Sequence, residues 1–430
     1  MLVLRPLLQA PAATGSLRGA QGIIATKTHP HQSRALCHKS KLEKRETFRW
    51  PYEKLGWSTV TMWGDPFTRR RMHENSKLIV VEGNVAAGKE KVAKRLADDL
   101  GMLYMPPNLD LDYFYKNGYG FDYRALNPLL PERLRHCDFE MFHGNPSRLS
   151  THHMQHFIFK LRLHQYMKAL RHIFNTGQGV VLNRSALSDK VFVEAMHNLG
   201  WLPRGYLRGD GVRFYDWKMR YNHVRNIALE DLQKPHLVIY VDTPVDVCLK
   251  RIQEDPDPIV RNSNALSQEF LEEIETVYKD TVLPKYDFNG VVHTIDGSEE
   301  LIEDDFVDLM DAIEEIDFDV DPQDTRFETW NEKFGTFWTT NRRKYSSYRN
   351  VLEVMDVLSD TPYYDIAGLG DCITNADLIL RECLYENHLR GVGRDVIFEE
   401  DSKIQGFLKT KLGLIPFEER LERALKADFC

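Results

Sequence analysis

The stretch Leu78-Ile79-Val80-Val81-Glu82-Gly83-Asn84-Val85-Ala86-Ala87-Gly88-Lys89 decides the fold. Its first residues form a continuous apolar run closed by one acid, suited to a strand buried on both faces. Residues 83–89 then fit G-x-x-x-x-G-K, and a helical pattern over Lys91–Leu100 follows, stopped by Gly101 at the usual C-cap place. Strand, glycine turn and helix are the context in which such a loop wraps phosphate. The glycines let backbone N–H groups turn inward around phosphate oxygens, the helix N-terminus adds positive potential, and Lys89 offers a point charge to the terminal phosphates. A chance match in a glycine turn is the plainer alternative, and the flanking elements argue against it. The candidate nucleotide-binding residues here are Gly83, Asn84, Ala86, Ala87, Gly88, Lys89 and Glu90.

Glu90 is the anomaly. A working loop of this type carries Ser or Thr after the lysine, because that hydroxyl binds magnesium. A carboxylate is longer and brings a second negative charge near the phosphates. Binding is expected to survive the change; fast phosphoryl transfer is not.

Working outward, Met102–Met105, Val180–Asn183, Leu237–Asp242 and Val291–Asp296 read as further strands. Helical patterns cover Thr151–Thr176, 218–233, Pro244–Gln253, Leu266–Lys279 and 299–315. Apolar strands alternating with helices predict an α/β fold: a parallel sheet with helices on both faces. Residues 77–321 hold this P-loop domain. A loop-rich N-terminal arm precedes it at 43–76, with Trp50, Tyr52, Trp57, Trp63 and Phe67 around two prolines. An extension at 322–430 follows, aromatic around Trp330, Phe334, Phe337, Trp338, Tyr345 and Tyr348, with short helices near 349–358 and 417–427. Aromatic residues are favoured at protein contacts, so the extension reads as a surface for partner subunits; packing on its own domain is the equal alternative for any single residue.

Composition excludes several classes. The chain has 430 residues, 42% hydrophobic and 28% charged, enough for roughly two to three domains. No stretch approaches the roughly 18 apolar residues of a spanning helix. Six cysteines in a chain this long exclude a disulfide scaffold, and the lack of a Cys-x-x-Cys pair argues against a zinc ribbon or a redox dithiol. The formal charge of -8 argues against nucleic-acid binding. Its distribution is uneven: residues 1–42 hold no Asp or Glu but six basic residues, the composition of a mitochondrial transit peptide. Removing them leaves 50 basic against 64 acidic residues, near -14. Much of that acidity lies in 299–324, with 13 Asp or Glu and no Lys or Arg, read as a solvated helix face or a site for a basic partner. His152, His153 and His156 are not spaced as metal ligands, and no metal is expected.

Several segments together resemble the deoxynucleoside kinase family, in order over about residues 77–298. The phosphate loop resembles that family's EGNIGSGKS-type loop. Asp138–Leu161 (DFEMFHGNPSRLSTHHMQHFIFKL) resembles its substrate helix, where a Gln bonds the nucleobase, and Gln155 falls at that place. Asn183-Arg184-Ser185 looks like its ERS motif, and Leu237–Ile252 is similar to the strand and helix that lead into its lid. The resemblance implies roles in nucleoside binding for Gln155 and Arg184. The plainer readings are a polar helix residue and an arginine paired with a neighbouring acid.

The departures fall on chemistry. The metal-holding glutamate of ERS is Asn183; the lid arginines align with Gln253, Asp255 and Asp257; and only Asp110 and Asp112 lie near the place of the catalytic carboxylate. A matrix address, a degenerate kinase site and a long extension together resemble the nucleoside-kinase-like accessory subunits of mitochondrial NADH:ubiquinone oxidoreductase, respiratory complex I. That resemblance implies a non-catalytic subunit, peripheral on the matrix side of the inner membrane, with other complex I subunits as partners and no cofactor needed for catalysis. The retained loop implies a bound purine nucleotide, or equally the pyrophosphate of FAD. The alternatives are an active mitochondrial deoxynucleoside kinase and a free nucleotide-sensing module.

Overall fold

The structure, a computed structural model, describes residues 36–38, 72–116, 122, 124, 127, 135–148, 150–202, 217–230, 232–318, 326–330 and 337–346. The arm's aromatics at 50–67, most of the stretch 1–42 and the helices expected near 349–358 and 417–427 lie outside the described residues.

Five strands form one parallel sheet: β1 (Leu78–Gly83), β2 (Leu103–Met105), β3 (Val180–Asn183), β4 (Leu237–Asp242) and β5 (Val291–Asp296), in the order β2-β3-β1-β4-β5. Every residue of β1 and β3 is buried. Successive strand side chains point to opposite faces, so these strands are covered on both sides, as their unbroken apolar runs require. The edge strands β2 and β5 are only partly buried.

The helices alternate with the strands. They are α1 (Lys89–Leu100), α2 (Asp112–Tyr115), α3 (Phe139–Gly144), α4 (Thr151–Thr176), α5 (Lys190–Asn198) and α6 (Trp217–Glu230), followed by α7 (Val245–Gln253), α8 (Pro258–Arg261) and α9 (Gln268–Val277). The last three are α10 (Leu283–Asn289), α11 (Glu303–Glu314) and α12 (Phe337–Ser346). Spans α4, β3, β4 and β5 match their sequence expectations. α9 does not stop at Lys279: a π-helical turn over Tyr278–Val282 carries it into α10. Pro284 explains the irregularity, since it has no N–H to donate to the preceding turn.

Two segments outside the nucleotide fold close the end of the sheet opposite the phosphate loop. Trp330 is buried, stacks on Phe174 and His236, and donates its Nε1 to the Lys234 carbonyl at 2.6 Å. In α12, Tyr345 stacks on Phe174 and bonds Gln233, Asn341 accepts from the Gln233 amide at 2.8 Å, and Arg342 donates to Asn175 at 2.8 Å. This part of the extension packs on its own domain.

At the other terminus Leu36 is buried, and Asn75 bonds both the amide and the carbonyl of Cys37 at 3.0 and 2.6 Å. Leu36–His38 fall inside the stretch 1–42 read as removable, yet they are held against the domain. The acidic block is partly used within the fold as well. Arg95 pairs with Glu303 and Lys91 with Glu300, so α1 supplies cations to α11 and the segment before it.

Candidate functional site

The sheet order brings the site together. β3 lies beside β1 with Val81 opposite Asn183, and the Arg184 amide continues the ladder to the Val81 carbonyl at 3.0 Å. The residues following both strands therefore meet at their carboxyl ends, where open α/β sheets bind ligands.

Gly83 leaves β1 at φ 145, and a Cβ there would sit 2.6 Å from the Val241 carbonyl oxygen. Gly88 caps α1 at φ 85 in the left-handed region. These two positions let the loop turn and then enter the helix. Ala86 shares the left-handed conformation at φ 57, an unusual state for a residue with a Cβ, held by the surrounding loop. Asn84 is buried and anchors the loop, donating its amide to the Leu271 carbonyl at 2.9 Å and accepting from Val85 N–H at 2.8 Å. The Ala87 carbonyl accepts from Thr243 at 3.2 Å.

Lys89 is buried, and its ammonium folds back to the Asn84 carbonyl. Burial pushes its pKa well below the usual lysine range, Arg184 pushes it further, and Glu82 opposes them. The Arg184 guanidinium donates to the same Asn84 carbonyl at 3.2 Å and to the Tyr278 hydroxyl at 2.9 Å. A third cation, Arg251 of α7, reaches the Ala86 carbonyl at 3.4 Å and the Gly297 carbonyl at 3.0 Å. Cations converging on loop carbonyls are a poor end state in themselves and a good fit to a phosphate group, which would offer them a full negative charge.

Behind the loop, Glu82 is fully buried. It accepts from the Ser185 amide at 3.1 Å, the Ser185 hydroxyl at 3.0 Å, Tyr278 at 3.0 Å and Tyr286 at 3.3 Å. The π-helical turn and α10 thus deliver one phenol each, Tyr278 and Tyr286, onto the carboxylate near the end of β1. Burial, with Glu82 alongside, raises the pKa of both tyrosines and keeps them protonated donors.

A second cluster joins α4, the residue before α5, and α6. Gln155 donates to the buried Asp189 at 3.0 Å; Asp189 also pairs with Arg162 and accepts from Tyr221. Phe192 joins the two clusters, its ring centroid 4.7 Å from the Arg162 guanidinium carbon and 4.8 Å from that of Arg184. Of the sequence candidates, Gly83, Asn84, Ala86, Ala87, Gly88, Lys89 and Arg184 converge, and Gln155 belongs to the adjoining polar cluster. Glu90 does not join them: it is exposed and pairs with Lys94 at 2.6 Å, one turn along α1. Arg162, Asp189, Tyr221 and Arg251 escaped the sequence reading. Arg162 alone left a signal, lying seven residues from Gln155 on one face of a long helix.

The deoxynucleoside kinase family's sequence model matches residues 79–316, more than half of the chain. The chain belongs to the deoxynucleoside kinase family. Its curated relatives include NADH dehydrogenase (ubiquinone) 1 alpha subcomplex subunit 10, mitochondrial, of Rattus norvegicus. That protein is 37% identical over 220 residues, which cover 51% of this chain and 56% of the relative. The protein of the same name from Bos taurus is 35% identical over 218 residues, covering 50% and 58%. Deoxyguanosine kinase of Dictyostelium discoideum is 27% identical over 187 residues, covering 43% and 53%. The chain spans about half the length of the curated relatives it matches. Among solved structures, deoxyadenosine kinase from M. mycoides with bound dATP matches at 17% identity and a TM-score of 0.39, covering 55% of this chain and 98% of that one.

In this deoxynucleoside kinase fold, the positions that departed from the family pattern have structural tasks. Asp257 caps α8 by accepting from Ile259 N–H, and Asp255 accepts from Asp257 N–H, both at 2.9 Å. Asp112 pairs with Lys116 and Arg124, both at 2.6 Å, and Asp110 accepts from Asp112 N–H. Among the described residues no His, Cys, Asp or Glu cluster could hold a metal, and no helix is long and apolar enough to cross a membrane.

Proposed function

We propose that this chain is a non-catalytic accessory subunit of mitochondrial respiratory complex I, supporting assembly or stability of the complex. It is held on the matrix side of the inner membrane by partner subunits and keeps a nucleotide pocket. One observation carries the reading: the phosphate cradle is intact while the groups that handle metal and transition-state charge are replaced. Gly83, Gly88, Lys89 and Arg184 converge. Glu90, in the metal-hydroxyl position, faces solvent on Lys94, and two acids stand where the family's lid arginines would. Phosphoryl transfer depends on electrostatic stabilisation, and an arginine finger alone is worth about 10³ or more in rate. The names of the rat and bovine relatives support the partner assignment.

The cradle suits the phosphates that a purine nucleotide and FAD share. Lys89 and Arg184 would hold them, and the Gln155–Asp189–Arg162 cluster would face the rest of the ligand.

Native gels of solubilised mitochondria test this. The chain is expected to migrate with NADH dehydrogenase activity, and migration only as a free monomer refutes the subunit reading. A second reading, an active deoxynucleoside kinase, draws on the Dictyostelium relative. It predicts ATP-dependent phosphorylation of deoxynucleosides by the purified chain above a Lys89→Ala control; the reading preferred here predicts none.

A further inference from the structure

A cavity of about 460 Å³ opens between the start of α5, the C-terminal end of α6 and α10, away from the phosphate loop. Four basic residues line it, Lys190, Arg225, Lys234 and Lys285, against a single acid, Glu230. Basic side chains on a surface ordinarily spread apart or pair with acids, and here two do neither. Lys285 and Arg225 have no carboxylate within ion-pairing distance among the described residues. Arg225 uses one nitrogen on the Leu187 carbonyl, while its buried Nε finds no partner. Lys190 is shared with Glu194 at 3.3 Å, and Glu194 is itself taken by Lys218. Burial pushes the Lys285 pKa below the usual lysine value, Lys190 and Arg225 push it further, and Glu194 partly opposes them.

The fold holds like charges together at a cost, and a multivalent anion would offset that cost. A carboxylate supplies one charge, whereas a phosphate ester or diphosphate supplies two or more, with several acceptor oxygens. We infer that this cavity binds a phosphate-bearing anion, at a site separate from the phosphate loop. Tyr286 links the two sites physically: it lines the cavity, and its hydroxyl bonds Ser185 and Glu82 beneath the loop.

The test uses the full chain and a Lys89→Ala form, which weakens the phosphate loop. Two probes separate the sources of the anion: inorganic pyrophosphate by calorimetry, and phosphatidylglycerol against phosphatidylcholine vesicles by co-sedimentation. At low salt, at least one probe is expected to bind the Lys89→Ala form. Lys285→Glu and Arg225→Glu should each weaken that binding about tenfold or more, as expected for a lost charged hydrogen bond. Glu230→Gln should strengthen it, a gain that misfolding cannot imitate. Binding of pyrophosphate alone assigns a soluble phosphate ligand; binding of the anionic vesicles alone assigns a lipid headgroup. The inference is overturned if neither probe binds the Lys89→Ala form, or if the charge reversals and Glu230→Gln leave affinity unchanged.

Discussion

Asp189→Asn isolates the buried polar cluster beside the phosphate loop. Asp189 is fully buried and accepts from Gln155, Arg162 and Tyr221; the Arg162 side chain is only 9% exposed. Asparagine has nearly the same shape, so packing is kept and the charge alone is lost. The new amide must turn an N–H toward one of three groups that already donate, and the Arg162 guanidinium loses its counter-charge inside the protein. Breaking a buried pair on one side costs about 3–5 kcal/mol. At about 2–4 °C per kcal/mol for a domain of 150–250 residues, the expected fall in Tm is roughly 6–20 °C, read by calorimetry on the purified chain. Combining Asp189→Asn with Arg162→Met removes both charges and should recover part of the loss. A fall below about 2 °C for the single variant, or a double variant as poor as the sum of the two singles, would show that the pair is not the strut the geometry implies.

Other expectations follow from separate parts of the fold. Trp330→Ala removes a buried ring stacked on Phe174 and His236 and should cost about 3–5 kcal/mol in denaturant melts, a loss that an extension free of the domain would not produce. His236 is buried, and burial, with Lys77 second, pushes its pKa well below 6.5, so the folded state resists a proton that the unfolded chain accepts. Stability is therefore full above about pH 6.5 and lost as pH falls, by at most about 1.4 kcal/mol per pH unit for this group. His236→Phe should flatten that limb while lowering stability at neutral pH, because Leu78 N–H loses its acceptor. Lys89→Ala should reduce the nucleotide that copurifies with the chain, and unchanged nucleotide content would remove the retained-pocket proposal. N-terminal sequencing of the mature protein should place any cleavage before Leu36, since cleavage after residue 42 would discard a buried side chain and the Cys37–Asn75 bonds.

Read along the chain, Leu78–Lys89 determined the strand, the loop and the helix after it, because each depends on neighbours a few residues away. Continuous apolar runs are enough to specify buried strands, so β1, β3, β4 and β5 were legible, as was the long helix Thr151–Thr176 between its polar start and Gly177. Set against the motifs of the family it resembles, the sequence also flagged Glu90, Asn183, Asp255 and Asp257 as departures from the metal and lid pattern, since residue type can be read without a fold. It did not reveal where Glu90 points. That depends on the turn of α1, which sends its side chain out to Lys94.

Tertiary structure decided everything held by long-range pairing. Arg184 meets the loop because β3 takes its place beside β1, roughly a hundred residues along the chain. Arg251, Tyr278 and Tyr286 arrive from helices that pack only once the sheet exists. Asp189 gave no local signal, because a lone acid after a strand reads as solvent-facing until Gln155, Arg162 and Tyr221 close over it. The sequence left Trp330 and Tyr345 open between a partner surface and their own domain, and the fold places both at the end of the sheet opposite the phosphates. An aromatic residue carries the same apolar area wherever it goes; only the shape of the surface it meets decides what it buries.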